Sequence, residues 1–360
     1  MKQYVINKAD LTHNIGIIKD MADSAKVIAV LKGSGYGLGI VEFAGVLKDN
    51  GIDFFAVSEV EEAKTLRDAG FDNDILLLTA TAVEEEIKTC LDLDVILSAG
   101  SADAFEKISA LAGENSARVH LKIDTGFGRF GFSCDDIENA AECVKKYENI
   151  NVEGVFSHFS FSFSDKRADV QLQYDRFLNC IEKLENDGIT NLLKHICNSC
   201  AFLQYKDMHL DAVRVGSAFL GRLPLNNCYG LKRIGAMRSN VIEVKTLPAG
   251  YHVGYANTYT TKKETQIAVV PIGYKDGYGV EKSRDTFRFM DILRYMYNDF
   301  RTLGKKNTVS ICGRPYPLIG RISMYNIIVD VTGADVKVGD IVETNANPIL
   351  VSKDVQRVYE

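Results

Sequence analysis

Short apolar runs rich in β-branched side chains recur along the first two thirds of the chain and alternate with longer stretches of helical spacing. Runs that are apolar on both faces are typical of parallel strands buried on both sides, with helices as the crossovers. Eight such units close naturally into a barrel. We therefore predict an α/β fold with an N-terminal (β/α)8 TIM-type barrel over residues 8–232, whose strands are the runs 27–31, 54–58, 75–79, 95–98, 118–123, 152–156, 194–197 and 212–215.

The pattern changes after residue 232, where apolar and polar residues alternate with a period of two. This alternation is typical of short strands with one buried face. It predicts a C-terminal, mostly-β domain over residues 233–360, with strands near 239–245, 265–271, 326–331 and 340–343. Residues 2–6 form one more strand-like run before the barrel, and we expect this run to join the C-terminal domain.

Residues 280–311 interrupt the β pattern. Within them, seven apolar residues have roughly helical spacing and predict an amphipathic insertion: Phe287, Phe289, Met290, Leu293, Met296, Tyr297 and Phe300. Three roles stay open for this segment: packing against its own domain, contact with another subunit, or covering the entrance of a site.

Composition narrows the classes of function. The chain is 46% hydrophobic and 25% charged with a formal net charge of -6, so it offers no basic field for nucleic acid. The N-terminal residues lack the apolar core of a signal peptide, and no apolar run approaches the ~18 residues of a membrane span, so we expect a cytoplasmic protein. The eight cysteines are spread through the chain and are expected to be reduced thiols. Cys197 and Cys200 have the CxxC spacing of metal and redox pairs, but no second such pair and no nearby His-x-x-x-His completes a metal site.

In a (β/α)8 barrel the active site lies at the carboxyl ends of the strands. The polar residues that follow the predicted strands include Lys32, the loop 124–129, Ser157 and His158, Asn198 and Ser199, and Arg214 with Gly216 and Ser217. A lysine at this position either extends harmlessly to solvent or is a partly desolvated amine suited to a Schiff base. The second interpretation is favoured because Ser199, Gly216 and Ser217 follow strands seven and eight, where barrels commonly bind phosphate. A lysine beside a phosphate site indicates pyridoxal 5'-phosphate.

Over essentially its whole length the chain resembles the alanine racemase family, the fold-type III pyridoxal-phosphate enzymes. The motifs that carry the resemblance occur in family order and are AVLKGSGYG (29–37), LKIDTGFGRFGF (121–132), SHFS (157–160), HICNS (195–199), VRVG (213–216), VGYANTY (253–259), PIGYKDG (271–277) and GRISM (320–324). The resemblance implies that Lys32 carries the cofactor and that Arg214 faces the pyridine nitrogen. It also implies further cofactor contacts from Tyr36, Arg129, His158, Asn198, Ser199, Gly216 and Ser217.

The resemblance further implies a two-base racemisation of a small amino acid by a homodimer with shared active sites. Lys32 is one base, and Tyr255, reaching the partner subunit's barrel, is the other. A phenol keeps its proton near neutral pH, so it can act as a base only when nearby cations stabilise its phenolate form. The family's arrangement puts His158 and Arg214 nearby. Arg129, Met324 and Tyr274 would bind the substrate, and Lys122 matches a lysine that is carbamylated in some relatives to orient the arginine.

Three positions depart from the usual family pattern. Leu38 replaces a histidine, and the usual Cys-Met-Asp on the substrate side is Ser323-Met324-Tyr325. A loose alignment of the C-terminal residues puts Lys353 where a tyrosine normally narrows the entrance.

Alanine is the first choice of substrate, with serine or a longer or acidic amino acid as the alternative. A basic amino-acid decarboxylase and a non-catalytic pyridoxal-phosphate carrier are the rival functions, although Tyr255 and the β domain argue against them.

Overall fold

The computed structural model describes residues 2–164 and 166–360, which form two compact units. One unit is Lys8–Ile234. The other combines residues 2–7 with Gly235–Glu360, so the N-terminal strand β1 (Gln3–Ile6) and the C-terminal third of the chain fold together.

The first unit is a nearly closed barrel of eight parallel strands, so the predicted fold class is confirmed. The strands follow the order β4-β3-β2-β10-β9-β8-β6-β5, and an isolated bridge from Leu76 to Ile96 joins the two ends. The barrel interior contains a packed apolar cluster that includes Ile28, Phe54 and Ala212. The strand bounds are β2 (Lys26–Val30), β3 (Phe54–Val57), β4 (Ile75–Leu77), β5 (Leu97–Ala99), β6 (Ala117–Asp124) with the short β7 (Phe132–Ser133) beside it, β8 (Ile150–Phe156), β9 (Leu193–His195) and β10 (Ala212–Val215).

Helices on the outside of the barrel bury their apolar faces, as their helical spacing predicts. Local capping fixes where some of them begin: Ser101, for example, accepts a hydrogen bond from the backbone N–H of Ala104. The helices of this unit are α1 (Lys8–Ala22), α2 (Lys32–Tyr36), α3 (Ile40–Asp49), α4 (Val60–Asp68), α5 (Glu84–Asp92), α6 (Ala102–Ala112), α7 (Ile137–Lys146), α8 (Ala168–Asn186) and α9 (Ser199–Gln204).

The second unit is built on a nine-stranded sheet of order β12-β15-β18-β17-β16-β19-β11-β1-β20. Strand β1 lies between β11, to which it is antiparallel, and β20, to which it is parallel. Strands β13 and β14 form a separate hairpin, and the helix α10 (Phe289–Phe300) lies in the insertion. The remaining strands are β11 (Ala236–Asn240), β12 (Glu243–Leu247), β13 (His252–Val253), β14 (Tyr259–Thr260), β15 (Thr265–Val270), β16 (Thr308–Ile311), β17 (Arg314–Ile319), β18 (Ile327–Asp330), β19 (Ile341–Thr344) and β20 (Gln356–Tyr359).

Within residues 2–164 and 166–360, no helix combines the length and apolar character that crossing a bilayer demands. The same residues contain no group of three or more His, Cys, Asp or Glu side chains arranged to hold a metal ion.

Candidate functional site

A cavity of about 210 Å³ opens at the carboxyl ends of the barrel strands. It brings together most of the site residues predicted from the sequence: Lys32, Tyr36, His158, Asn198, Ser199, Arg214, Gly216 and Ser217. These residues come from the loops after β2, β8, β9 and β10, which are far apart in the sequence and adjacent in the barrel.

The loop after β2 makes a left-handed turn. Gly33, Ser34, Gly35 and Tyr36 all have φ between 54° and 64°, a conformation that glycine adopts readily and other residues rarely do. The carboxylate of Glu62 holds this turn, since it accepts from the backbone N–H of Ser34 (3.1 Å). Glu62 was not among the residues predicted from the sequence. Its only sequence signal is its place in the capping box that begins α4.

Lys32 begins the turn and lines the cavity with its amine. The surrounding protein lowers the pKa of Lys32 by desolvation, and the cation of Arg129 lowers it further, while Glu62 opposes the shift. No described residue accepts a hydrogen bond from this amine. Lys32 is therefore closer to the neutral, nucleophilic form than an ordinary surface lysine.

Backbone N–H groups and hydroxyls converge opposite Lys32. Oγ of Ser199 accepts from the N–H groups of Gly216 (2.9 Å) and Ala218 (3.3 Å). A Cβ atom on Gly216 would lie 2.5 Å from Cε2 of Tyr36, so only glycine lets the Tyr36 ring approach this backbone. Asn198 lines the same cavity, but its side-chain oxygen is used to cap α9 through Cys200 and Ala201. Because Oγ of Ser199 accepts from these N–H groups, its own hydrogen remains available, and neighbouring hydroxyls of this kind suit an anion such as a phosphate.

Arg214 occupies the barrel interior at the base of the cavity and is buried. Its guanidinium donates to the carbonyl oxygens of Ser157 (2.6 Å) and Ile196 (3.1 Å) and to Nδ1 of His158 (3.2 Å). Among the described residues it forms no ion pair with a carboxylate. Burial lowers the pKa of Arg214 to about 10, so the guanidinium stays charged near neutrality.

A chain of two histidines extends from Arg214 through the barrel. A guanidinium has only donors, so Nδ1 of His195 accepts from Nη1 of Arg214 (2.7 Å). Nε2 of His195 must then carry hydrogen and donate to Nδ1 of His120 (2.9 Å). Burial lowers the pKa of His195 well below its ordinary value and that of His120 to about 3, so both rings are neutral.

Neither histidine was predicted as a site residue, although HICNS was noted as a motif. The space for the His120 ring depends on Gly154 of β8, where a Cβ would lie 2.7 Å from His120 Cε1. The pairing of β6 with β8 also shifts register between Val119 and His120. His120 is a polar residue among the apolar positions of β6, and this is the only feature of the sequence that indicates the His195–His120 pair.

Arg129 lies on the loop after β6 and lines a separate cavity of about 330 Å³. Asp124 fixes this loop by accepting from the backbone N–H groups of Gly126 (2.9 Å) and Phe127 (2.8 Å). The Arg129 guanidinium lies 4.4 Å from the centre of the Phe127 ring.

Lys122, seven residues before Arg129, is buried inside the barrel with its amine 4.2 Å from the centre of the Phe156 ring. Burial lowers the pKa of Lys122 well below its ordinary value, and the cations of Arg214 and Arg129 lower it further. No hydrogen bond from this amine to a described residue is formed. Lys122 is thus a buried amine on which Asp124 acts only at a distance, with no ion pair to any described residue.

The other predicted residues belong to the second unit. Tyr255 begins a 3-10 turn and is 71% exposed. It lines a cavity of about 380 Å³ together with Ser323. The loops of Tyr274 and Met324 lie side by side, because the backbone N–H of Tyr274 donates to the carbonyl of Ser323 (3.1 Å). Tyr274 and Met324 are about half exposed.

The positions that depart from the family pattern lie in different surroundings. Leu38 is fully buried in the barrel unit, whereas Tyr325 and Lys353 are exposed in the other unit. The amine of Lys2 lies 5.8 Å from the centre of the Tyr325 ring and forms an ion pair with Asp276 (2.8 Å). The phenol of Tyr325 thus takes the place of the carboxylate that is usual in the family, and the charge of Lys2 is balanced by Asp276.

Comparison with known proteins assigns the chain to one family along nearly its full length. Residues 6–224 match the alanine racemase N-terminal domain, and residues 234–355 match the alanine racemase C-terminal domain. The chain is 32% identical to alanine racemase 2 of Caldanaerobacter subterraneus subsp. tengcongensis, over 93% of this chain and 83% of that protein. It is 31% identical to the alanine racemase of Clostridium tetani, over 92% and 82% respectively.

Solved structures agree with the sequence relatives. The alanine racemase of Clostridium difficile 630 superposes with a TM-score of 0.87 at 27% identity, covering 100% of this chain and 95% of that chain. The enzyme from Streptomyces lavendulae gives a TM-score of 0.86 at 26% identity, covering 100% and 97%. The chain therefore belongs to the alanine racemase family, and with it to the isomerases.

Proposed function

We propose that this chain interconverts L- and D-alanine with pyridoxal 5'-phosphate carried on Lys32. The observation that carries the proposal is the single cavity in which the amine of Lys32, the donors around Ser199 and Gly216, and the guanidinium of Arg214 meet. The names of the relatives support alanine as the substrate.

The residues of the cavity fit this cofactor. Lys32 supplies an amine of lowered pKa for a covalent link to an aldehyde. The hydroxyls of Ser199 and Ser217 would donate to a phosphate, with the backbone N–H of Gly216 holding Oγ of Ser199 and the Tyr36 hydroxyl beside them. His158 and Asn198 complete the lining.

Pyridoxal phosphate, when bound, supplies an electron sink that makes the α-hydrogen of an amino acid acidic. Arg214 would limit this sink, because a permanent cation facing the ring nitrogen keeps that nitrogen unprotonated. The His195–His120 chain would help hold the guanidinium in place, since Nη1 of Arg214 donates both to Nδ1 and to the backbone carbonyl of His195. A weaker sink favours return of the proton to Cα over loss of the amino group.

Racemisation needs a proton acceptor on one face of Cα and a donor on the other. Nζ of Lys32 would serve one face and Oη of Tyr255 the other. The exposure of Tyr255 supports a role in which the side chain is supplied to a partner subunit of a homodimer, so that each site is shared between two copies. Tyr274 and Met324, on neighbouring exposed loops, would contact the substrate in the same way.

Arg129 would bind the substrate carboxylate and the phenolate oxygen of the cofactor. Lys122 is proposed to be carbamylated: the nitrogen of its neutral amine forms an N–C bond to carbon dioxide, one C=O π bond opens onto its oxygen, and one amine proton is released to water, giving a carbamate anion. Such an anion would compensate the cations of Arg214 and Arg129, which together with burial lower the pKa of the Lys122 amine.

Serine, or a longer or acidic amino acid, is the alternative substrate, and the observation that favours it is Tyr325, an exposed phenol where the family pattern has a carboxylate. A substrate panel tests both choices. The purified chain, loaded with pyridoxal phosphate, is incubated with single L-amino acids, and enantiomers and released carbon dioxide are measured. Alanine should be racemised fastest. A faster rate with serine would change the substrate, carbon dioxide release would indicate a decarboxylase, and no turnover would indicate a carrier.

A further inference from the structure

Helix α10 exposes nearly all of its apolar side chains. Its residues sort into a polar side and a continuous apolar side, here termed the α10 apolar face. The face consists of Phe289, Met290, Ile292, Leu293, Met296, Tyr297 and Phe300, whose exposures range from 39% for Ile292 to 75% for Phe289. Phe287 and Leu303, just outside the helix, are 68% and 74% exposed. No described residue covers this face.

The size of the face indicates a macromolecular contact. Given the areas that large apolar side chains present, the α10 apolar face offers roughly 800 Å² to solvent. The largest apolar patch of an ordinary monomer is about 300–600 Å². A stable interface needs about 800 Å² from each partner, so this one helix face is large enough to form most of such a contact.

The charges of the helix favour a protein over a lipid surface. Helices that lie on anionic membranes have polar faces rich in Lys and Arg. Helix α10 carries one arginine and two aspartates, so it has no excess of positive charge. Asp299 is paired with Arg284 (2.6 Å), and Asp291 with Arg288 (2.8 Å). The composition of the face also fits a protein contact, since Phe, Tyr and Met are enriched in interface cores.

We propose that the α10 apolar face lies against a second copy of this chain. The proposal rests on the homodimer of the proposed function and adds the segment that extends its interface. A second copy is the occupant because a two-fold dimer buries the same patch on both subunits, which doubles the area that one helix supplies. The exposed aromatic residues Tyr255, Tyr274 and Tyr325 belong to the same unit as α10, so one unit carries both the residues offered to a partner and this face.

Site-specific photo-crosslinking tests the contact in the intact holoenzyme. p-Benzoylphenylalanine replaces Phe300 on the apolar face or, as the matched control, Asn298 on the polar side of the same helix. Irradiation should give a covalent dimer from position 300 and little from position 298. Absence of the dimer band at position 300 in a protein that still racemises alanine would overturn the α10 proposal and leave the proposed function intact. A dimer band in a protein without racemase activity would support the α10 contact and contradict the proposed function.

A second measurement addresses strength and the lipid alternative. The variant Phe289→Ser/Leu293→Ser/Phe300→Ser should raise the dimer dissociation constant by roughly a hundredfold or more, as the loss of central apolar side chains does in other interfaces. Asn298→Ser should leave it unchanged. These side chains are exposed, so circular dichroism should report an intact fold. An unchanged dissociation constant, or capture of the wild-type chain by phosphatidylglycerol vesicles through α10, would refute the contact with a second copy.

Discussion

Replacing Gly216 with alanine probes the cofactor site through one atom. A Cβ at this position would lie 2.5 Å from Cε2 of Tyr36, whereas relaxed carbon contacts are about 3.5–4.0 Å. The ring must therefore retreat by about 1 Å, which moves its hydroxyl away from Gly216 and from the proposed phosphate position. The backbone at Gly216 is not left-handed, so the alanine itself causes no conformational strain.

The expected magnitude follows from the lost hydrogen bond. A hydrogen bond to a charged group contributes about 1.5–3 kcal/mol, so the affinity for pyridoxal phosphate should fall roughly 10- to 150-fold. Titration of the apo chain with the cofactor, followed by absorbance, measures this change. Gly45→Ala is the matched control, because it lies inside α3 with no atom within 4 Å of the added Cβ, and it should bind the cofactor normally.

A double-mutant cycle with Tyr36→Phe separates displacement of the ring from other effects. If Gly216→Ala acts by moving the Tyr36 hydroxyl, the double variant should bind the cofactor about as weakly as either single variant. Additive losses, or a dissociation constant for Gly216→Ala within twofold of the wild type, would show that the proposed phosphate contact is wrong.

Three further predictions follow from the same geometry. Tyr255→Phe should keep cofactor absorbance and dimer mass while racemisation falls by about 10²–10⁴-fold, and retained activity would refute the second base. Bicarbonate labelled with ¹³C should give a carbamate resonance that disappears in Lys122→Gln, and a spectrum shared by both proteins would exclude the carbamate. His120 is held neutral with its pKa lowered to about 3, so its contribution to stability is present above about pH 6.5 and is lost as the pH falls toward 3. The free energy of unfolding should therefore fall by up to about 1.4 kcal/mol per pH unit for this group. When this free energy is measured by urea titration at several pH values, it should depend less steeply on pH in His120→Gln than in the wild type.

The sequence was sufficient to locate the cavity because a barrel has one catalytic end. Once the apolar runs were assigned to strands, Lys32, Ser199 and Arg214 had to share that end, whatever their separation in the chain. The residue types then indicated the chemistry, since a lysine, small hydroxylic residues and glycine at these strand ends suit an aldehyde cofactor with a phosphate.

Other features of the site depend on packing that periodicity does not encode. The left-handed turn after Lys32 needs the carboxylate of Glu62, which comes from a helix 28 residues further along the chain. The position of the His120 ring needs a register shift and the missing side chain of Gly154 on the neighbouring strand. The amphipathic spacing around α10 predicted a helix, but nothing in a single sequence could say that its apolar face would be left exposed.

Deuterium incorporation into alanine tests the central proposal most directly. The wild-type chain with pyridoxal phosphate is incubated with L-alanine in D₂O. The two enantiomers are then separated, and the deuterium content of each is measured by mass spectrometry. We predict that the wild type gives equal amounts of L- and D-alanine, each carrying one deuterium at Cα. Lys32→Met should show neither exchange nor racemisation. Unlabelled L-alanine recovered from the wild-type reaction, or labelled D-alanine formed by Lys32→Met, would contradict the proposal.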